Sequence, residues 1–478
     1  MPGTAVRSVT VPELDGTVRA FVRRRVTIDR RSLAAFRIAL GLVVLVDITR
    51  RVRDLRAFYT DSGVLPRSLL ATLYPGYGSA SLHALSGSVA FQALLFALAA
   101  VAAVAMLVGY RTRLAVFLSL LLVVSVQLRN PLVLNSGDVL LRRLLFWGLF
   151  LPLGSRWGVD ATGEGEAAVV GPATVGLLAQ VVVVYATNAV VKLRADVWLR
   201  GDAVRYAFEL DHFTILLGNA LAGWAPLLTV ADWLWLALLV ISPLLVLSTG
   251  RLRAALVGAF VAVHAGMALT LQLGVFPLVS IASLLPLLPG GVWARVADLR
   301  GRVPDIDAAR TPLSRRFPAL SWVGRVGATL CLAVLLVTNA VGLGVVAAPS
   351  GTPEQVTDRS WDMFAPSPPV TTWWYVAPAN LSTGERVDAI TGDRFDPTRP
   401  ADVATRHPNE RWRKFLADAH REPRLREPLA RYLCGRWNRT HESRMLDVQL
   451  WHMAEPTDLD GPESVQRTRM GQYRCGAL

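Results

Sequence analysis

The sequence predicts an all-α polytopic membrane bundle of about eight to nine transmembrane helices, followed by a small C-terminal α+β extramembrane domain. Three observations carry this reading. Of 478 residues, 53% are hydrophobic and only 18% charged, with a mean hydropathy of +0.39. Several apolar runs reach the roughly 17–25 residues needed to cross a bilayer core. From residue 349 onward, Pro, charge and tryptophan replace the aliphatic runs. The organisation expected is an Arg-rich N-terminus (1–32), a transmembrane domain (33–348) and an outward-facing domain (349–478).

The net charge of +14 and pI near 10.5 do not point to nucleic acid. The arginines stand beside apolar runs, where they act as topology signals, so the lipid bilayer is the partner this charge implies. Cys331, Cys434 and Cys475 form no CxxC and no metal spacing, so no metal is expected. Cys434 and Cys475 would share an oxidising compartment, which leaves a disulfide between them open.

Taken in order, residues 1–32 carry seven arginines that should stay cytoplasmic, and the first apolar run, Leu33–Ile48, reads as a signal anchor. A polar stretch, 49–88, has the Gly and Pro content of a loop or re-entrant segment. Val89–Val108 and Leu114–Leu128 are the second and third spans, joined by the positive hairpin Gly109-Tyr-Arg-Thr-Arg113. Val139–Leu153 and Thr174–Lys192 are the fourth and fifth, and a long polar connection, 193–226, follows. Pro226–Leu247 and Ala254–Leu273 flank a second positive hairpin, Gly250-Arg-Leu-Arg253. Val275–Leu288 is short and broken by Pro277 and Pro286, and reads as a broken or tilted eighth crossing. The last span is Val326–Ala347. With nine crossings the positive hairpins fall inside and the long loops and C-terminal domain outside; with eight, that domain flips inward. Arg50, Arg51, Arg53 and Arg56 dissent, lying on the outer side. In the last domain, Thr371–Val376 and the Leu381–Val387 turn read as strand, Glu410–Leu416 and Leu425–Trp437 as helix.

Ionisable residues within apolar runs are functional candidates, because placing them in lipid is costly. Lys192 is the sharpest. Only it and Lys414 are lysines among 50 basic residues. A desolvated lysine gives up its proton, whereas an arginine in practice does not. Lys192 therefore reads either as a catalytic base or as an anchor snorkelling at a helix end, with Asp196 as its nearest potential partner. Arg37 and Asp47 lie ten residues apart in the first run, about 15 Å along a helix, so each needs a separate partner. His264 reads as a ligand-facing ring or a hydrogen-bonded core residue. Asn135 and Asp138 read as a polar rim over a cavity or as a helix cap. Protease, hydrolase and nucleotide-binding signatures are absent.

At these residues the chain resembles the HTTM-domain family, which includes the vitamin K-dependent γ-glutamyl carboxylases. The likeness rests on Ser32–Gly41 with Asp47-Ile48, Tyr59-Thr-Asp-Ser-Gly-Val-Leu-Pro66, Asn135-Ser-Gly-Asp138, Val191–Trp198, and His264 with Gly274-Val-Phe276. Ser360-Trp-Asp-Met-Phe364 and Arg411–Lys414 resemble the start of the family's outer domain. The resemblance implies a multi-pass cell-membrane protein with quinol-dependent carboxylase or epoxidase-type chemistry. It implies Lys192 and His264 as catalytic residues, and Arg37, Asn135 and Asp138 around the cofactor. Reduced vitamin K or menaquinol would be that cofactor, and a peptide or secreted protein the substrate. The alternative is a non-catalytic membrane protein that binds quinone or lipid, or scaffolds a secreted partner. The chain departs from the carboxylases at Gly137-Asp138, where they carry a His, and at Ala265-Gly-Met-Ala268; its outer domain is also shorter.

Overall fold

The computed structural model describes residues 16–161, 167–300, 318–342, 346–347, 363–459, 461 and 463–477. It is mostly helical, with a small C-terminal sheet. Six helices are long and apolar enough to cross a membrane: α1 (Arg30–Arg53), α2 (Val89–Val108), α3 (Thr112–Arg129), α5 (Pro172–Lys192), α7 (Gly250–Thr270) and the apolar part of α9 (Pro318–Gly342). Three shorter helices lie among them: α4 (Ser136–Gly148), the apolar α6 (Ala225–Val240) and α8 (Phe276–Leu284). The stretch Phe276–Leu287 joins Gly290–Asp298 at a 98° bend. Pro286 and Pro289 flank that break, where missing N–H groups stop a continuous helix. The sequence-derived spans agree with these helices to within a few residues, except that the fourth and sixth end earlier and the last both starts and ends earlier than Val326–Ala347. The sixth breaks at the Ile241–Pro243 turn.

The first two helices of the bundle cross closely at Gly41, where an added Cβ would come within 3.0 Å of the Leu107 Cα. Just beyond that contact, Gly109 closes α2 in the left-handed region (φ 76°), which glycine adopts without steric cost.

The connections sort to two ends. At one end the hairpin residue Gly109 lies against Arg37 and Gly158, Arg253 donates to the Arg25 carbonyl, and Trp293 Nε1 donates to Ser32 Oγ at 2.7 Å. At the other end sit the 49–88 and 130–138 loops, the 193–224 segment and the C-terminal domain.

That domain holds five antiparallel strands: β1 (Thr371–Val376), β2 (Pro378–Leu381), β3 (Arg386–Asp388), β4 (Met445–Pro456) and β5 (Gln466–Arg474). The order is β1-β4-β2-β3, with β5 pairing along β4. Helices α10 (Glu410–Arg421) and α11 (Arg426–Thr440) extend both helical segments read from sequence, and β4 and β5 are strands that reading lacked. Cys434 on α11 is disulfide-bonded to Cys475, with their Cα atoms 5.6 Å apart. Residues 348–362, which hold most of the Ser360–Phe364 motif, lie outside the described residues.

Candidate functional site

Two groups of buried polar side chains lie inside the domain-facing half of the bundle. The first is a seam between α5, α6 and α7. On α5, Tyr185, Asn188 and Lys192 fall on one face at spacings of three and four residues. Lys192 is 2% exposed; its Nζ donates to the carbonyls of Met363 (2.9 Å) and Phe364 (3.2 Å) and lies 3.5 Å from the Trp198 ring centroid. Trp198 in turn donates from Nε1 to the Pro366 carbonyl at 2.9 Å. The 363–366 strand of chain therefore closes over the lysine. Asp196 does not pair with it: that carboxylate is exposed, because Lys192 points into the seam while the chain turns outward after the helix.

Asp232 on α6 is the ionisable neighbour electrostatically coupled to Lys192. It is fully buried, accepts from the Val204 N–H at 3.2 Å through Oδ2, and its Oδ1 has no partner among the described residues. Sequence reading passed it over, although a lone carboxylate in Ala225–Val240 was signal enough.

One turn from Asp232, Trp235 packs against both Tyr185 (centroids 6.4 Å) and His264 (5.7 Å). His264 on α7 is fully buried; Nδ1 lies 2.8 Å from the Phe260 carbonyl and Nε2 has no partner among the described residues. Tyr185, Trp235 and Phe276 ring it at 5.7 to 5.8 Å, and Phe260 packs on Tyr185 at 4.5 Å. Lys192 and His264 thus share one seam. Tyr185 and Lys192 are seven residues apart on α5, about 10 Å along the axis, so the two sites occupy different layers.

The second group is an ion-pair network. Arg51 donates to Asp47 (2.7 Å), to the Tyr59 hydroxyl (2.8 Å) and to Asp138. Arg411 of α10 reaches Asp47 at 2.5 Å and Glu410 at 3.3 Å, and Glu410 also pairs with Arg50. Asp47, Arg51, Asp138, Glu410 and Arg411 are all 2% exposed or less. Burial raises the Glu410 carboxyl, yet Arg411 and Arg50 hold it below its ordinary value. Asn135 and Asp138 form a reciprocal cap: Asn135 Oδ1 accepts from Gly137 N (2.8 Å), and Asp138 Oδ2 accepts from Asn135 N (2.8 Å). Both sequence readings of Asp138 were thus incomplete, since it caps α4 and pairs with Arg51 together.

Arg37 stands apart from both groups. It is buried at the hairpin end and donates to the Trp157 carbonyl, while Nε and Nη1 have no partner among the described residues. The five expected site residues are therefore distributed over three places.

A membrane-embedded helical bundle, with inward-turned ionisable side chains and a C-terminal α+β region tied to it by buried ion pairs, is the class these features define. The model of the HTTM domain matches residues 26–289, more than half of the chain. The chain belongs to the HTTM-domain family. No curated protein and no solved structure gives a significant match.

Proposed function

We propose that this HTTM protein is a quinol-dependent enzyme of the vitamin K-dependent carboxylase type, with Lys192 as its base. The observation that carries the reading is a seam with a buried lysine at one layer and, at the next, a His264 Nε2 that has no partner among the described residues and lies among three aromatic rings. That donor set fits a flat quinol ring: aromatic walls for its faces and one imidazole nitrogen for its hydroxyl. Reduced vitamin K or menaquinol, when bound, would supply the reducing equivalents and, with oxygen, the strong base needed at a glutamate γ-carbon.

The chain's own groups have simpler tasks. His264, held at Nδ1 by the Phe260 carbonyl, presents Nε2 as the hydrogen-bonding handle. Lys192 holds or releases a proton at Nζ. A neutral amine retains two N–H donors, enough for the Met363 and Phe364 carbonyls, and frees a lone pair where the ammonium now faces Trp198. Asp232 is the carboxylate through which that proton would leave. A peptide or secreted protein would reach this end of the bundle.

The reading also takes nine crossings, with α4, α6 and the bent α8 among them, a cytoplasmic N-terminus and an extracytoplasmic C-terminal domain. The arginine bias supports that orientation.

A second reading has its own observation. Two carbonyls and an indole face match the three N–H directions of an ammonium, which is how a structural cation would pin the 363–366 segment. On that reading the protein binds quinone or lipid, or scaffolds a partner, without turnover. Quinol-epoxide formation by the purified protein in lipid nanodiscs separates the two. Turnover that falls by at least 100-fold in Lys192→Ala supports the enzyme; equal rates in the two proteins would sink it.

A further inference from the structure

Four of the seven histidines gather around Trp373 where the C-terminal domain meets the 193–224 segment, beside the Lys192 seam but outside it, since Phe213 packs on Phe364 at 5.3 Å. Trp373 packs against His407 (centroids 4.8 Å), His212 (5.4 Å) and His452 (5.8 Å), and His420 lies 4.0 Å from His452. His212 and His407 are 6.2 Å apart, and His212 packs on Phe213 at 4.6 Å. Over that same Phe213 ring, 3.5 Å from its centroid, lies the guanidinium of Arg413 from α10.

The polar atoms of this cluster are conspicuously unmet. Arg413 is 6% exposed; Nη2 donates to the Gln272 carbonyl at 2.8 Å, but Nε and Nη1 have no partner among the described residues. Among the described residues His407, 2% exposed, has no partner at either ring nitrogen, and His212, 1% exposed, has none at Nδ1. The nearby carboxylates are engaged elsewhere: Glu410 with Arg50 and Arg411, and Asp211 and Glu455 with Arg399. Glu410 acts on Arg413 only through space, being hydrogen-bonded to Arg50 and Arg411, and a buried cation with open donors is costly unless an anion completes it.

We propose that this junction is a binding site for a small carboxylate, gripped by the Arg413 fork and by N–H groups of His407 and His212. The chemistry selects the ligand. Nη2 carries two hydrogens, and with one given to Gln272 the other lies parallel to the N–H of an open neighbouring nitrogen, at the spacing of a carboxylate. Burial, then Arg413, then His452 holds His407 down at about 3, and burial with Arg413 keeps His212 well below its usual value. Both rings are therefore neutral at pH 7, each with one N–H to give. One cation answers one negative charge, and the flat walls of Phe213 and Trp373 suit a planar group better than a tetrahedral dianion. The site does not depend on the chemistry proposed for Lys192.

Calorimetric titration of the full chain in detergent with sodium acetate, against chloride and phosphate at matched ionic strength, tests it. The expected result is saturable binding of one acetate, weakened at least tenfold in Arg413→Gln. Arg413→Lys, which keeps the charge and loses the fork, and His407→Phe should each weaken it several-fold. Acetate heats no larger than those of chloride would overturn the proposal, as would unchanged affinity in Arg413→Gln, or phosphate binding more tightly than acetate. Where Arg413→Gln does not fold, unchanged affinity in both Arg413→Lys and His407→Phe has the same force.

Discussion

At the scale of residues, the bundle is governed by how each buried charge is answered. Arg51 has no exposed surface and is balanced by two carboxylates, Asp47 and Asp138, plus a phenol. Removing one member of such a group leaves the others buried and uncompensated, a loss of about 3–5 kcal/mol, while replacing the whole group by neutral side chains is much milder. Arg51→Met should therefore lower the thermal midpoint of the detergent-solubilised protein sharply, and the triple variant Arg51→Met/Asp47→Asn/Asp138→Asn should recover a large part of that loss. A triple variant no more stable than the single one would show that the network acts by shape and not by charge. The sequence made Asp47, Lys192 and His264 conspicuous because an ionisable residue inside an apolar run stands out locally. It could not pair them: the partners of Asp47 include Arg411, 364 residues away. That distance also explains the dissent of two of the four arginines after the first span. Arg50 and Arg51 are neutralised by Glu410, Asp47 and Asp138, so they carry little of the free charge that a topology signal needs.

Among elements, α10 is the joint of the molecule. Asn409 caps it through Arg411 N (3.0 Å) while its amide reaches Asp54 at 2.6 Å, and Trp412 Nε1 donates to the same carboxylate at 2.9 Å. The helix was legible from its amphipathic spacing, but its partner was not. Strand β4 was legible in principle, since Val448 and Leu450 alternate with Asp447 and Gln449; its bent path past β2, β1 and β5 depends on pairings remote in sequence. The histidines packed behind this sheet make the domain acid-sensitive. His407 and His452 are held by burial at about 3 and about 4, below the ordinary value near 6.5. Between pH 6.5 and 4 the unfolded chain takes up protons that the folded domain refuses, so stability falls as the pH falls, by at most ~1.4 kcal/mol per pH unit for a fully buried ring. Guanidinium titrations followed by tryptophan fluorescence should show midpoints dropping from pH 7 to 4.5. The drop should be shallower in His407→Gln, and an identical pH slope in that variant would exclude His407 as the source.

For the whole molecule, the sorting of connections to two ends decides more than any single helix does. The segment after α7 begins at the domain end, where Gln272 accepts from Arg413, and finishes at the hairpin end, where the Leu288 carbonyl accepts from Ser32 Oγ at 2.8 Å. The sequence left this segment as the pivot of the topology, because proline-broken runs of this length are ambiguous by hydropathy alone. Contacts at both of its ends support the proposed crossing, since they lie at opposite ends of the bundle. The hairpins carrying Arg113 and Arg251 then share an end, and the exposed Thr383 turn of the C-terminal sheet lies at the opposite one. On the orientation proposed above from the arginine bias, the hairpins lie inside and the disulfide-bonded domain outside. Single cysteines introduced as Arg113→Cys, Arg251→Cys and Thr383→Cys in a Cys331→Ser background should separate cleanly in intact cells. A membrane-impermeant maleimide should label Thr383→Cys at once, and the two hairpin variants only after the membrane is permeabilised. Labelling of all three from one side would contradict the two-ended arrangement, whereas the reverse pattern would preserve it and invert the protein. Inversion would also place Cys434 and Cys475 in a reducing compartment, so the redox state of that pair gives an independent reading of the same question.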